Sequence, residues 1–239
     1  MNVYLDNNIL VDVEMGKYYI EQFLGRQNCT YWFSDSHVEE LLEGLGNSKI
    51  SQERRLALIK EICGDNCILP GVHAGPEFIK EDIVDAYMSA ANNPCRTIIT
   101  KLATDGRAVY FKLSEKIGLE AKTFNNVTYN QVLPMIDARL KECEKIGLIE
   151  YLVRSEGIDG RPLYLTLFNL VDLCNYWRDA RTDHSEIARL YDASHAYSAQ
   201  ICDVLVSNDK KMRQKAKAVY AFLGVTTEVV SGHEFLTKE

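Results

Sequence analysis

The chain has 239 residues, 46% of them hydrophobic and 10% aromatic, which is enough for one large ordered domain and too apolar for a disordered chain. No apolar run is long enough to span a bilayer, so no membrane partner is expected. The net charge of −7 argues against a protein that coats nucleic acid electrostatically, yet it is compatible with an enzyme that grips a phosphodiester locally through a metal.

Residues 2–5 read as a buried strand, followed by a polar turn at Asp6-Asn7-Asn8 and a helix beginning over Ile9 to Val13. The start Met1-Asn2-Val3-Tyr4-Leu5-Asp6 lacks the basic and apolar regions of a signal peptide, which points to the cytoplasm. Residues 17–25 are a second helical stretch, and Tyr31-Trp32-Phe33 is an aromatic strand. Ser34 or Ser36 can cap the next helix, where Val38, Leu41, Leu42 and Leu45 share a face and Gly44 and Gly46 close the element. Helical spacing recurs over 51–63. Cys67-Ile68-Leu69 is a short strand, and Pro76 suits the first turn of a helix running to about Ala91, which Asn92-Asn93-Pro94 breaks.

From 95 to 182 the pattern is mostly helical. Residues 148–153 and 163–167 flank Gly157-Ile158-Asp159-Gly160 and allow a winged hairpin, but Leu163, Leu167, Leu170, Val171 and Cys174 keep helical spacing, so helix is expected. Thr182 can cap a long helix over 183–201. Residues 203–207 form a strand, Asp209 opens a helix that Gly224 ends, and 226–230 is the last strand. Strands alternating with helices indicate an α/β fold with a central parallel sheet. The seven cysteines are scattered. Cys63 and Cys67 have no second Cys/His pair to complete a zinc site, so reduced thiols are expected.

Asp6 and Asp209 each follow an apolar strand, near opposite ends of the chain. On parallel strands both carboxylates reach the C-terminal edge of the sheet, where open α/β sheets bind ligands, and together they suggest a divalent-cation site. Asp209 is equally well placed to cap the following helix. Lys210, Lys211, Arg213, Lys215 and Lys217 give residues 207–220 a surplus of four positive charges. Most of these belong to a solvated helix face, and Lys210, Lys211 or Arg213 could hold a substrate phosphate. Asp192 lies within a helix, where capping is excluded, on a face with the small residues Ala196 and Ala199. His195 follows it by one turn as a packing, orienting or phosphate-contacting group. Glu39 and Glu40 both lie off the apolar face of their helix, so helix geometry does not choose between them. Asp183 and Asp203 read as structural acids.

In order, the chain presents Tyr4-Leu5-Asp6-Asn7-Asn8, then Phe33-Ser34-Asp35-Ser36-His37-Val38-Glu39-Glu40-Leu41, then Asp192-Ala193-Ser194-His195, then Val206-Ser207-Asn208-Asp209. This series resembles the PIN-domain nucleases over residues 1–45 and 183–236. The resemblance implies a PIN-like three-layer fold, with 1–239 a single domain and 95–182 a helical insertion between the second and third acidic motifs. It implies Asp6, Glu40, Asp192 and Asp209 as the metal-binding catalytic acids, supported by Asn8 and Ser207, with Mg²⁺ or Mn²⁺ as cofactor. It further implies an endoribonuclease with a one- or two-metal mechanism and RNA as substrate, in a toxin or defence role, with an antitoxin or other protein partner or a homodimer. Two rivals remain: a non-catalytic scaffold of the same fold, and a phosphatase acting on small esters.

Overall fold

The computed structural model describes residues 1–43, 52–71, 75–92, 108–109, 111–118, 124, 127–178 and 183–238. The chain runs β1 (Asn2–Leu5), α1 (Asn7–Glu14), α2 (Ile20–Leu24), β2 (Thr30–Ser34), α3 (Asp35–Leu42), α4 (Gln52–Cys63), β3 (Asn66–Pro70), β4 (Pro76–Lys80) and α5 (Ile83–Ala91). After helical residues 111–117 come α6 (Val132–Glu144), the short α7 (Leu148–Glu150) running into a π-helical turn at Tyr151–Ser155, and α8 (Gly160–Leu173). The chain ends with α9 (Asp183–Ala199), β5 (Val204–Val206), α10 (Lys210–Leu223), β6 (Glu228–Val230) and α11 (Gly232–Thr237).

The six strands form one sheet in the order β4-β3-β2-β1-β5-β6, parallel throughout except for β4. The two-residue period of the strands sorts their side chains to opposite faces. Tyr4, Trp32, Ile68, Leu205 and Val229 join a core with α6, α8, α9 and α10. Val3, Leu5, Tyr31, Phe33, Cys67, Val204 and Val206 join a second core with α1, α2, α3, α4, α5 and α11. With both faces covered, the parallel strands are apolar throughout, which is why they read as continuous hydrophobic runs. The chain builds outward from β1 to β2 and β3, then returns to the other side of β1 as β5. The order therefore reverses between β1 and β5, and beyond the C-terminal ends of these strands lies the position where open α/β sheets bind ligands.

One expected element is corrected. Pro76 does not start a helix: residues 76–80 form β4, antiparallel to β3, with Pro76 opposite Pro70. Proline is tolerated as the first residue of an edge strand, where no partner needs its missing N–H, and the Phe78 ring packs tilted against Trp32 with centroids 4.2 Å apart. The helix starts later, at α5, where the Asp82 carboxylate accepts from the Val84 amide at 2.7 Å. Residues 148–155 and 160–173 are helical, as the spacing over 163–174 indicates, and form no winged hairpin. The short α11, capped by Ser231, follows the last strand and was not expected. The helix closure at Gly44 to Gly46, the break at Asn93-Pro94, Cys95 and the Thr182 cap lie outside the described residues. The remaining six cysteines are unpaired, and burial pushes the Cys63, Cys67, Cys174 and Cys202 thiols up.

Candidate functional site

Asp6 sits where β1 ends and α1 begins. Its amide donates to Val206 O at 2.9 Å, which continues the β1–β5 pairing, and its carboxylate caps α1 by accepting the Asn7 amide at 2.8 Å. The other carboxylate oxygen accepts the Ser207 hydroxyl at 2.7 Å and the Asn8 side-chain amide. The second Asn8 proton goes to Ser207 Oγ at 2.9 Å, while Asn8 Oδ1 accepts the Asn208 amide at 2.8 Å. Ser207 Oγ also accepts the Asp209 amide at 3.1 Å. The ends of β1 and β5 are thus stitched together by side chains from both loops, and Asp6 is only 4% exposed.

Glu40 enters from α3. Its Oε2 accepts the Asn7 side-chain amide at 2.5 Å and faces His195 Nε2 at 3.0 Å. The neighbouring Glu39 turns the other way, to Arg161 Nη2 at 2.9 Å. Tertiary packing therefore separates two glutamates that helix spacing leaves equivalent. His195, on α9, is fully enclosed: Nε2 lies 3.0 Å from Glu40 and 3.8 Å from Asp6 Oδ1, and Nδ1 lies 2.7 Å from the Tyr4 hydroxyl.

The proton positions behind this wall follow from the partners. His37 Nε2 meets the Leu5 carbonyl at 2.7 Å and must donate to it, so Nδ1 is the acceptor for the Ser34 amide at 3.1 Å. His37 is neutral, and burial together with the His195 charge pushes its pKa well below the usual histidine value. The Tyr4 hydroxyl lies 2.7 Å from His195 Nδ1 and 2.6 Å from Ser34 Oγ, with His37 Nδ1 at 3.3 Å. Burial alone would lower the His195 pKa, but its contacts with Glu40 and Asp6 outweigh this and hold it above the ordinary value. Burial would likewise raise Glu40, but His195 and Asn7 outweigh this and hold it below the ordinary glutamate value. Asp6 is pushed up by burial, and the charges of Glu40 and Asp209 add to the effect against the opposing pull of His195 and Ser207.

Asp209 caps α10, its Oδ1 accepting the Lys211 and Met212 amides at 2.7 and 3.0 Å. The carboxylate is exposed and near enough for its charge to act on Asp6. Asp192 is half-buried on α9, one turn before His195. Lys210 lies over the Trp177 ring, 4.8 Å from its centroid. Arg213 donates to the Ser207 carbonyl at 2.6 Å and braces the turn that carries Asp209. Lys211 is half-buried beside it. Asp203 accepts the Asn2 amide at 2.6 Å at the opposite end of β1 from Asp6, and the Asp183 side chain lies outside the described residues.

Tyr4, Asn7, His37 and Arg161 escape sequence reasoning. Tyr4 and Asn7 flank Asp6 within two residues, and His37 sits one helical turn before Glu40, so the only signal was adjacency to acids already singled out. Arg161 carries no local signal. Among the described residues, no group of three or more His, Cys, Asp or Glu side chains is arranged as a ready-made metal set. Comparison with family models, curated proteins and solved structures gives no match.

Proposed function

We propose that this chain is a metal-dependent endonuclease of the PIN-domain type, cleaving phosphodiester bonds in RNA. The observation that carries the reading is the meeting of Asp6, at the β1–α1 junction, and Glu40, from within α3, across His195 Nε2 at the sheet edge where the strand order reverses. An acid pushed up by burial and by neighbouring negative charge is one that a divalent cation would relieve. The donor set is hard oxygen, and two carboxylates plus retained waters suit Mg²⁺ or Mn²⁺ without a closed protein cage. Asp6 and Glu40 would hold the cation, with Asp209 and Asp192 completing the acidic set.

Such an ion, when bound, activates water and neutralises charge on the leaving oxygen. The protein's own contribution is positional. Asn8 and Ser207 fix Asp6 in one orientation, and Asn7 does the same for Glu40. His195 holds a proton between the two carboxylates, and Tyr4 fixes its ring from behind. Lys210 and Lys211, which follow Asp209 at the start of α10, would supply positive charge for a phosphate. The preference for RNA, the toxin or defence role, the cytoplasmic setting and an antitoxin or homodimer partner rest on the resemblance and belong to this proposal. A second reading, a non-catalytic scaffold of the same fold, draws on His195, which already offsets the two acids without a metal.

The test is cleavage of end-labelled single-stranded RNA and matched DNA with Mn²⁺ or Mg²⁺ by wild type, Asp6→Asn and Asp192→Asn. Cleavage by wild type, with at least a hundredfold loss in Asp6→Asn, is the expected result. Equal cleavage by wild type and Asp6→Asn rejects the site. Cleavage of neither polymer, with no heat of Mn²⁺ binding, favours the scaffold.

A further inference from the structure

Arg161 is the second residue of α8, far in sequence from both walls of the candidate site, yet its guanidinium lies between them. Nη1 donates to Asp35 Oδ2 at 2.9 Å and Nη2 to Glu39 Oε2 at 2.9 Å, both on α3. Nε donates to Ser194 Oγ at 3.0 Å on α9, and that hydroxyl donates on to Leu190 O at 2.8 Å. All three nitrogens of the planar fork are engaged, so the directions of the acceptors are fixed as well as their distances. Each residue it holds adjoins a residue of the site. Glu39 precedes Glu40, Ser194 precedes His195, and Asp35 follows Ser34, which bonds Tyr4.

A half-buried arginine between two partly exposed carboxylates is a poor source of stability, because desolvation and the ordering of long side chains offset most of the attraction. What such a fork supplies is geometry. We infer that Arg161 is a positioning residue: it sets the spacing of α3 and α9 and thereby the Glu40–His195 contact. The segment between the second and third acidic motifs is on this account a working part of the site. Its catalytic readout rests on the nuclease reading above, so a second readout independent of cleavage is needed.

Arg161→Met and Arg161→Lys are compared with wild type and with Leu140→Ala, a core truncation in α6 away from the site. Two measurements are made on each: metal-dependent RNA cleavage resolved into kcat and KM, and the ¹H–¹³C spectrum of the five histidine rings. Arg161→Met is expected to lower kcat on the order of 10²-fold with KM little changed, as for a misplacement of about 1 Å. Arg161→Lys keeps the charge without the fork and recovers part of the loss. Leu140→Ala lowers Tm and keeps kcat. The His195 ring resonances move in both Arg161 variants, and those of the exposed His233 do not. Unchanged kcat with unchanged His195 resonances in a folded Arg161 variant overturns the inference, as does an equal loss of kcat in Leu140→Ala. Should Arg161→Met not fold, Arg161→Lys carries both measurements. A wild type that cuts no RNA defeats the nuclease reading alone, and the histidine spectrum still decides the role of Arg161.

Discussion

Tyr4 shows how one buried hydroxyl can order a site. It lies in β1, two residues before Asp6, and meets His195, Ser34 and His37 on the inner face of the sheet. Replacing it with phenylalanine keeps the packing but leaves His195 Nδ1 and the Ser34 hydroxyl without this partner in a buried setting. Tyr4→Phe is therefore expected to lose about 1–3 kcal/mol in urea denaturation, together with RNA cleavage activity. Retention of both would show that the network is incidental. His37 offers a test by pH. Its folded pKa lies below the unfolded value of about 6.5, so the folded state refuses a proton that the unfolded state accepts. Its contribution to stability is complete above the unfolded pKa and is lost as pH falls toward the folded one. At about pH 6 the His37 ring should still give the neutral Nε2–H tautomer pattern in ¹⁵N spectra, and a half-protonated ring there would contradict the assignment.

Among the elements, α10 carries two different electrostatic devices. Its first turn is capped by Asp209, while further along Lys215, fully buried, donates to Asp172 on α8 at 2.9 Å. Arg189 on α9 faces the same aspartate at 3.5 Å and donates to Asn169 at 3.1 Å, so three helices meet at one charge group inside an apolar core. Removing one partner leaves the other under-compensated. Lys215→Met is expected to destabilise by about 3 kcal/mol or more, toward the lower end because Arg189 still faces Asp172. The double variant Asp172→Leu/Lys215→Met should be less destabilised than the sum of the singles, measured as a double-mutant cycle in urea. Strict additivity would mean that the two groups are not coupled. Element identity is well marked where periodicity and caps agree, as in α3 and α10. It failed at Pro76, because proline starts a helix and an edge strand equally well. Only the neighbouring β3, with Cys67 and Ile68 needing a pairing partner, selects the strand.

At the scale of the whole molecule, the sheet face bearing Tyr4, Trp32 and Leu205 shares one core with α6, α8, α9 and α10. The helices between the second and third acidic motifs are therefore packed onto the sheet itself. Melting followed by Trp32 fluorescence in a Trp177→Phe background should coincide with melting followed by far-ultraviolet circular dichroism. Leu140→Ala, on the order of 2–5 kcal/mol less stable, should shift both curves together. Two separated transitions would mean that the helical segment folds apart from the sheet.

What could be read from the residues alone was whatever repeats locally. Short continuous apolar runs mark the parallel strands, helical spacing marks α8 and α9, and polar turns after β1 and β5 carry Asp6 and Asp209. These signals are legible without tertiary contacts because they lie in the local order of apolar and polar residues. The rest required the folded chain. His195 meets Glu40 across 155 positions and Arg161 meets Asp35 across 126, and nothing near either residue encodes the partner. Glu39 and Glu40, adjacent on one helix, diverge because α8 brings a guanidinium to one of them while the start of α1 brings Asn7, and α9 brings His195, to the other. Local sequence sets which groups stand at the edge of the sheet, whereas their mutual distances depend on how helices distant in sequence pack, and it is those distances that make a site.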